Sequence, residues 1–188
     1  MKDKKLSGPA LFIYSLIALT AVISAVIFSI YYTGVFQNGV FLWCGIVAFM
    51  VFYHLGLRII FGEISKRMRI NYKHPWYREQ SFEKHIYRLL FVRRWKDKVL
   101  TFDPEAYDFK KRTLPELATT MSKSELDHWV NELISIGGMF FALLWGCWPA
   151  FVISAVIAML FDAQFIVVQR YNRPIVVRLI ERQKGRGV

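Results

Sequence analysis

Charge is missing from this chain in long blocks. No charged side chain falls in residues 10–32, in 39–57 or in 134–161, and only Asp162 interrupts the last run before Gln169. A hydrocarbon layer about 30 Å thick is crossed by roughly 20 apolar residues of helix, so each of the first two runs can span it. Backbone inside lipid must satisfy its own hydrogen bonds, which selects helices over open strands. The expected fold class is therefore an all-α membrane protein with about four transmembrane helices.

The third tract, 134–169, is too long for one ordinary crossing. Gly146-Cys147-Trp148-Pro149 sits near its middle and joins a helix breaker to an aromatic residue that favours the interface. Two readings fit: a hairpin of helices over about 131–147 and 149–170, or one re-entrant element. The first helix resembles a signal peptide only superficially. It is too long, lacks a small-residue cleavage site, and is followed at once by another span. The expected organisation is an N-terminal transmembrane hairpin (1–61), a basic cytoplasmic or interfacial region with amphipathic helices (62–130), and a C-terminal hairpin with a basic tail (131–188).

Charge also gives orientation. Segment 62–130 holds 15 Lys and Arg against 10 Asp and Glu, and the tail from Arg170 holds 6 against Glu181 alone. Lys2, Lys4 and Lys5 mark the N-terminal tip, whereas the turn 33–38 is uncharged. The positive-inside rule puts both ends and the central region in the cytoplasm of a multi-pass protein. The net charge of +11 raises nucleic acid as a candidate partner. The cations flank membrane segments, however, where each is attracted to anionic headgroups by about 1 kcal/mol, so lipid is the expected partner. Cys44 and Cys147 give neither a disulfide framework nor a metal-binding spacing. No metal is expected.

Within 62–130, several patterns carry chemistry. His54 and Arg58, just upstream, share one helix face, as a snorkelling pair or as the lining of a polar cleft. His74-Pro75-Trp76-Tyr77 suits the headgroup layer. Phe82, Ile86, Leu89 and Leu90 recur at helical spacing with cations between them, the pattern of a helix lying on a membrane surface. Arg93-Arg94-Trp95-Lys96 follows, either a solvated headgroup face or a cradle for an anionic substrate such as the nucleotide part of coenzyme A. Residues 101–117 read as loop, broken at Pro104 and Pro115. Ser122-Lys123-Ser124-Glu125 then has a capping-box pattern and predicts a helix start. On that helix Glu125, His128 and Glu132 fall three and four apart. A carboxylate one turn from an imidazole can fix its tautomer, as a general base requires. Gln169-Arg170-Tyr171-Asn172-Arg173-Pro174 forms a polar collar after the last apolar run, with Pro174 expected to end the helix.

Three blocks bring a family into view. They are Ser81-Phe82-Glu83-Lys84-His85 with the run from Phe91 to Lys98, then Ser124-Glu125-Leu126-Asp127-His128-Trp129, then the run from Phe165 to Pro174. In this order and spacing the chain resembles the glycosyl-4,4'-diaponeurosporenoate acyltransferases, bacterial membrane enzymes of staphyloxanthin-type carotenoid synthesis. The resemblance implies transfer of a fatty acyl group to a sugar hydroxyl of a membrane-bound glycosylated lipid, in the carotenoid case the glucose 6-hydroxyl. It implies no bound cofactor, with an acyl-CoA or acyl carrier protein thioester as donor substrate and a lipid-linked sugar as acceptor. His128 is then the candidate base and Glu125 its orienting partner. Arg170, Asn172 and Arg173 are candidates for donor or oxyanion contacts, and Arg93, Arg94, Trp95 and Lys96 for the acyl-donor or headgroup site.

The chain departs from the family pattern in three places. Thr120-Met121-Ser122 stands where a Glu-Thr pair is usual, Asp162-Ala163-Gln164 stands where Asn-x-Pro is usual, and Glu132 is not part of the pattern. These departures leave the acceptor open. The alternative reading is a non-enzymatic scaffold whose collar binds lipid headgroups. A transporter is disfavoured because, apart from Asp162 and the His54–Arg58 pair, the spans hold almost no ionisable residues. Oligomeric state leaves no mark in the sequence.

Overall fold

A computed structural model describes residues 8–99 and 104–185. The lysines of the N-terminal tip and the start of the expected loop at 101–103 lie outside the described residues. Among the described residues there is no strand. The helices are α1 (Gly8–Tyr32), α2 (Gly39–Ser65), α3 (Glu83–Leu89), α4 (Val92–Trp95), α5 (Leu114–Met139), α6 (Ala142–Trp145) and α7 (Trp148–Gly185).

Three of them, α1, α2 and α7, are long and apolar enough to cross a membrane. The expected arm over 131–147 is helical in two pieces instead of one. α5 ends at Met139, Phe140 and Phe141 turn, and α6 adds four residues. The part of α5 beyond residue 130 rises only about 14 Å at 1.5 Å per residue, well short of a bilayer core. The break itself falls where the sequence puts it. Gly146 and Cys147 both take positive φ, 68° and 51°, and Pro149 sits in the first turn of α7, where its missing N–H is not needed.

The chain divides into two compact units. The first joins the residues up to Glu63 with Asn131–Met159. Its core is apolar: Leu42, Ile46 and Met50, spaced four apart on α2, pack with Ala142, Ala150, Phe151 and Ala155. Rings surround them. Phe49 touches Phe28, Phe52, Tyr53, Phe141 and Trp145 with centroids 4.9–6.5 Å apart. At Gly45 a Cβ would stand 2.6 Å from Ile27 Cγ2, so only glycine lets α1 and α2 approach this closely.

The second unit joins Ile64–Val130 with the residues from Leu160 onward. Leu117, Ala118 and Met121 of α5 pack on Val176 and Ile180 of α7. That packing explains two differences from the sequence reading. α5 begins at Leu114, eight residues before the expected Ser122, and it is capped by a different box. Thr113 donates its N–H (2.8 Å) and hydroxyl (2.9 Å) to Glu116 Oε2, and the Glu116 N–H returns a bond to Thr113 Oγ1 at 3.4 Å. Pro115 lies in the first turn, where proline is tolerated. Ser122 is mid-helix and donates back to the Ala118 carbonyl at 2.9 Å.

The second difference is in α7, which runs through Pro174 to Gly185 instead of stopping there. An interior proline costs a helix about 3 kcal/mol. Burial of Val176 and Ile180 just beyond it offsets that cost. Between α3 and α4 the chain turns at Phe91, a non-glycine residue in left-handed conformation (φ 50°, ψ 37°). Such a backbone costs about 1–3 kcal/mol and persists only where its surroundings demand it.

Candidate functional site

Helix α5 carries His128 and α7 carries Asp162, and the two meet. His128 Nδ1 lies 2.7 Å from Asp162 Oδ1. The carboxylate is 1% exposed, and the imidazole keeps about a fifth of its surface open. Phe165, three residues along α7 and so on the same face as Asp162, stacks flat on the imidazole with a 4.5 Å centroid distance and 4° between planes. One ring nitrogen is thus held by a buried carboxylate and the ring plane by an aromatic face. With the proton on Nδ1 shared toward Asp162, Nε2 carries the lone pair, the arrangement of an oriented base.

Asp127, the neighbouring carboxylate, has a different environment. Burial pushes its carboxyl up from the ordinary value, while a hydrogen bond from Ser65 and the charges of Lys123 and His128 pull it part-way back.

Glu125 is not the partner of His128. It is completely buried and accepts from Arg170 Nη1 at 2.6 Å and from Arg173 Nη1. Arg170 also donates to Glu83, through Nε at 2.6 Å, with its Nη2 2.5 Å from the same oxygen. The remaining donors of both arginines close on one turn of backbone. Arg173 Nε and Nη2 reach the Tyr77 carbonyl at 3.1 and 2.7 Å, and Arg170 reaches the carbonyls of Trp76 and Arg78 at 3.3 Å each. Arg173 also sits 4.9 Å over the Tyr77 ring.

Two cations three residues apart on α7 therefore face two buried carboxylates and fasten the His74–Tyr77 turn. Glu83 is satisfied further by the Gln80 N–H (3.2 Å) and the Tyr87 hydroxyl (3.0 Å). Burial and the Glu83 charge push the Tyr87 phenol well up, so it stays protonated and donates. The fastened turn presents Trp76, whose ring meets Trp129 edge-on at 6.1 Å, next to His128 in sequence.

The expected donor-binding run splits between two openings. Trp95 joins Lys98, Phe161, Gln164 and Phe165 around a cleft of about 350 Å³, so Phe165 lies on the imidazole and also lines this cleft. Arg93 and Arg94 line a second cleft, of about 420 Å³, with Lys84 and Arg88. Lys96 pairs with Asp97 at 2.5 Å and sits 5.9 Å over the Tyr171 ring. Asn172, which falls between the two arginines in sequence, is half-buried. Glu132 is buried in the first unit.

Sequence reasoning missed Asp162 as the partner, though it had a signal. A lone carboxylate in an apolar helix needs a stated partner, and this one falls where the family pattern changes.

Residues 73–182 match the family model for glycosyl-4,4'-diaponeurosporenoate acyltransferase. The chain belongs to this family. Curated relatives of that name from Staphylococcus aureus are similar over most of their length. Those of strains bovine RF122 / ET3-1 and MRSA252 are each 27% identical over 156 residues, covering 74% of this chain and 90% of the relative. That of strain USA300 is 26% identical over the same extent. No solved structure matches the chain. The segment that matches the acyltransferase family model contains His128, Asp162, Phe165 and the whole arginine–glutamate network, and it excludes α1 and α2.

Proposed function

We propose that the protein is a membrane-bound O-acyltransferase that moves a fatty acyl group from a thioester onto a sugar hydroxyl of a glycosylated carotenoid or a related glycolipid. The observation that carries this reading is the His128–Asp162 pair, an imidazole with one nitrogen anchored on a buried carboxylate, in a chain of this family. In the proposed step, His128 Nε2 takes the proton from the sugar hydroxyl as its oxygen attacks the thioester carbonyl carbon. The tetrahedral intermediate then collapses, the carbon–sulfur bond breaks, and the imidazolium returns the proton to the departing thiolate. Asp162 holds the tautomer and stabilises the imidazolium. Lys98 and Gln164 line the adjoining cleft and offer donors for the oxyanion. Arg170 and Arg173, with Glu125, position the Trp76 turn in this account and do not contact substrate.

We place the chain in the bacterial cell membrane as a multi-pass protein, with 62–130 and both ends on the cytoplasmic side. The cation bias supports this. So do the contact between His128 and Asp162 and the bond that Arg170 donates to Glu125, which tie the residues before the 131–159 tract to those after it, as a tract that enters and leaves on one face requires. Neither a metal nor a cofactor enters the step.

The test is transfer of labelled acyl chain from a thioester to glycosylated lipid by reconstituted protein. His128→Ala should insert normally and lose transfer by about 10²–10⁴-fold. Transfer that survives intact in His128→Ala removes the proposed base and favours a scaffold.

A further inference from the structure

Helix α3 has two faces with different tasks. Phe82, Ile86, Leu89 and Leu90 are exposed and apolar, the side suited to a lipid surface. Lys84, Tyr87 and Arg88, spaced three and four apart, point instead into the second cleft. The left-handed turn at Phe91 then brings Arg93 and Arg94 of α4 into that same opening. All four of these cations are exposed. Glu79 offsets a fifth, Arg178, at 3.2 Å. The cleft is lined by Phe91 and Tyr171 as well, and Arg94 lies 5.0 Å over the Phe91 ring.

A headgroup surface needs cations spread along the lipid-facing side. Here they are gathered off that side, around a concavity of about 420 Å³, within the usual size of small-molecule sites. Clustered cations beside aromatic faces are the chemistry that holds a phosphorylated nucleotide: guanidinium groups take the phosphate oxygens and a ring takes the base.

We propose that the cleft formed by Lys84, Arg88, Arg93 and Arg94 binds the phosphorylated nucleotide end of a coenzyme A thioester, and so makes the acyl donor a free coenzyme thioester. This rests on the acyltransferase reading for the identity of the donor. Trp95, on the same short helix as Arg93 and Arg94, lines the cleft beside His128, so the donor's acyl end is to be sought there.

The experiment is equilibrium binding of coenzyme A to the full-length protein in nanodiscs of neutral lipid, with no turnover involved. Coenzyme A should bind saturably. Arg93→Ala/Arg94→Ala should weaken it by at least about tenfold. Pantetheine, which lacks the nucleotide, should compete at least about tenfold more weakly. His128→Ala should bind like wild type, so failure of the proposed base and failure of this cleft are told apart. Three results would overturn the proposal. One is no saturable binding, and another is binding indifferent to the arginine pair. The third is an arginine-pair effect seen only as weaker association with vesicles containing anionic phosphatidylglycerol, which would make the cleft a headgroup site.

Discussion

The two units are held together by different forces. In the first, apolar side chains and rings share the load: Phe49 alone touches five other rings, and close approach at Gly45 seats α1 against α2. In the second, a small apolar cluster of α5 on α7 is joined by buried ions, with Arg170, Arg173, Glu83 and Glu125 satisfying one another and one turn of backbone. Where lipid surrounds a helix, apolar burial gives little drive and packing is distributed, so single losses should be graded. Removing one member of a buried ion network strands the others, so single losses there should be abrupt.

The largest stability effect should therefore come from Arg173→Ala, which leaves Glu125 buried with one cation fewer. A loss of about 3–5 kcal/mol is expected, read as a lower denaturant midpoint in detergent. Arg178→Ala, at the exposed pair with Glu79, should lose no more than about 1 kcal/mol in the same assay. An Arg173→Ala protein as stable as the Arg178→Ala one would erase the contrast between the units.

Next in size is Phe49→Ala. It removes several ring contacts at once but leaves no stranded charge, and about 2 kcal/mol is expected. A loss equal to that of Arg173→Ala would mean that the apolar unit is as brittle as the ionic one.

The smallest effect sharpens the comparison through pH. Asp127 has its carboxyl raised by burial, so its charged form works against folding. Stability from this group is fully present below the ordinary value of 3.8 and is lost as pH rises through the raised folded value. Asp127→Asn should thus raise the unfolding free energy at pH 7, by less than about 1 kcal/mol after allowing for solvent screening. The gain should vanish below pH 3.8, where both states are protonated. An equal gain at both pH values would show that charge is not its origin.

Much of the fold was legible because lipid imposes a coarse rule. Charge-free blocks marked α1, α2 and α7, and Gly146–Pro149 marked the break before α7. The helix bounds were harder for a physical reason. Thr113–Glu116 and Ser122–Glu125 have the same local pattern, and only the packing of Leu117 and Ala118 on α7 decides which one caps α5. Pro174 likewise looks like a terminus until the burial beyond it is known. At the site, His128 stood out by its carboxylate neighbours, but its spacing favoured Glu125. The actual partner is 34 positions away, on another helix, and a single sequence encodes no such distance. The same limit hid the division of Arg93, Arg94, Trp95 and Lys96 between two clefts.

The central claim is that Asp162, and not Glu125, orients the imidazole, and paired rate measurements on Asp162→Asn and Glu125→Gln test it most directly. Expressed per folded molecule, acyl transfer should collapse in Asp162→Asn. It should stay near wild type in Glu125→Gln, whose defect should show as lost stability alone. The reverse pattern, transfer intact in Asp162→Asn and abolished in folded Glu125→Gln, would contradict the account.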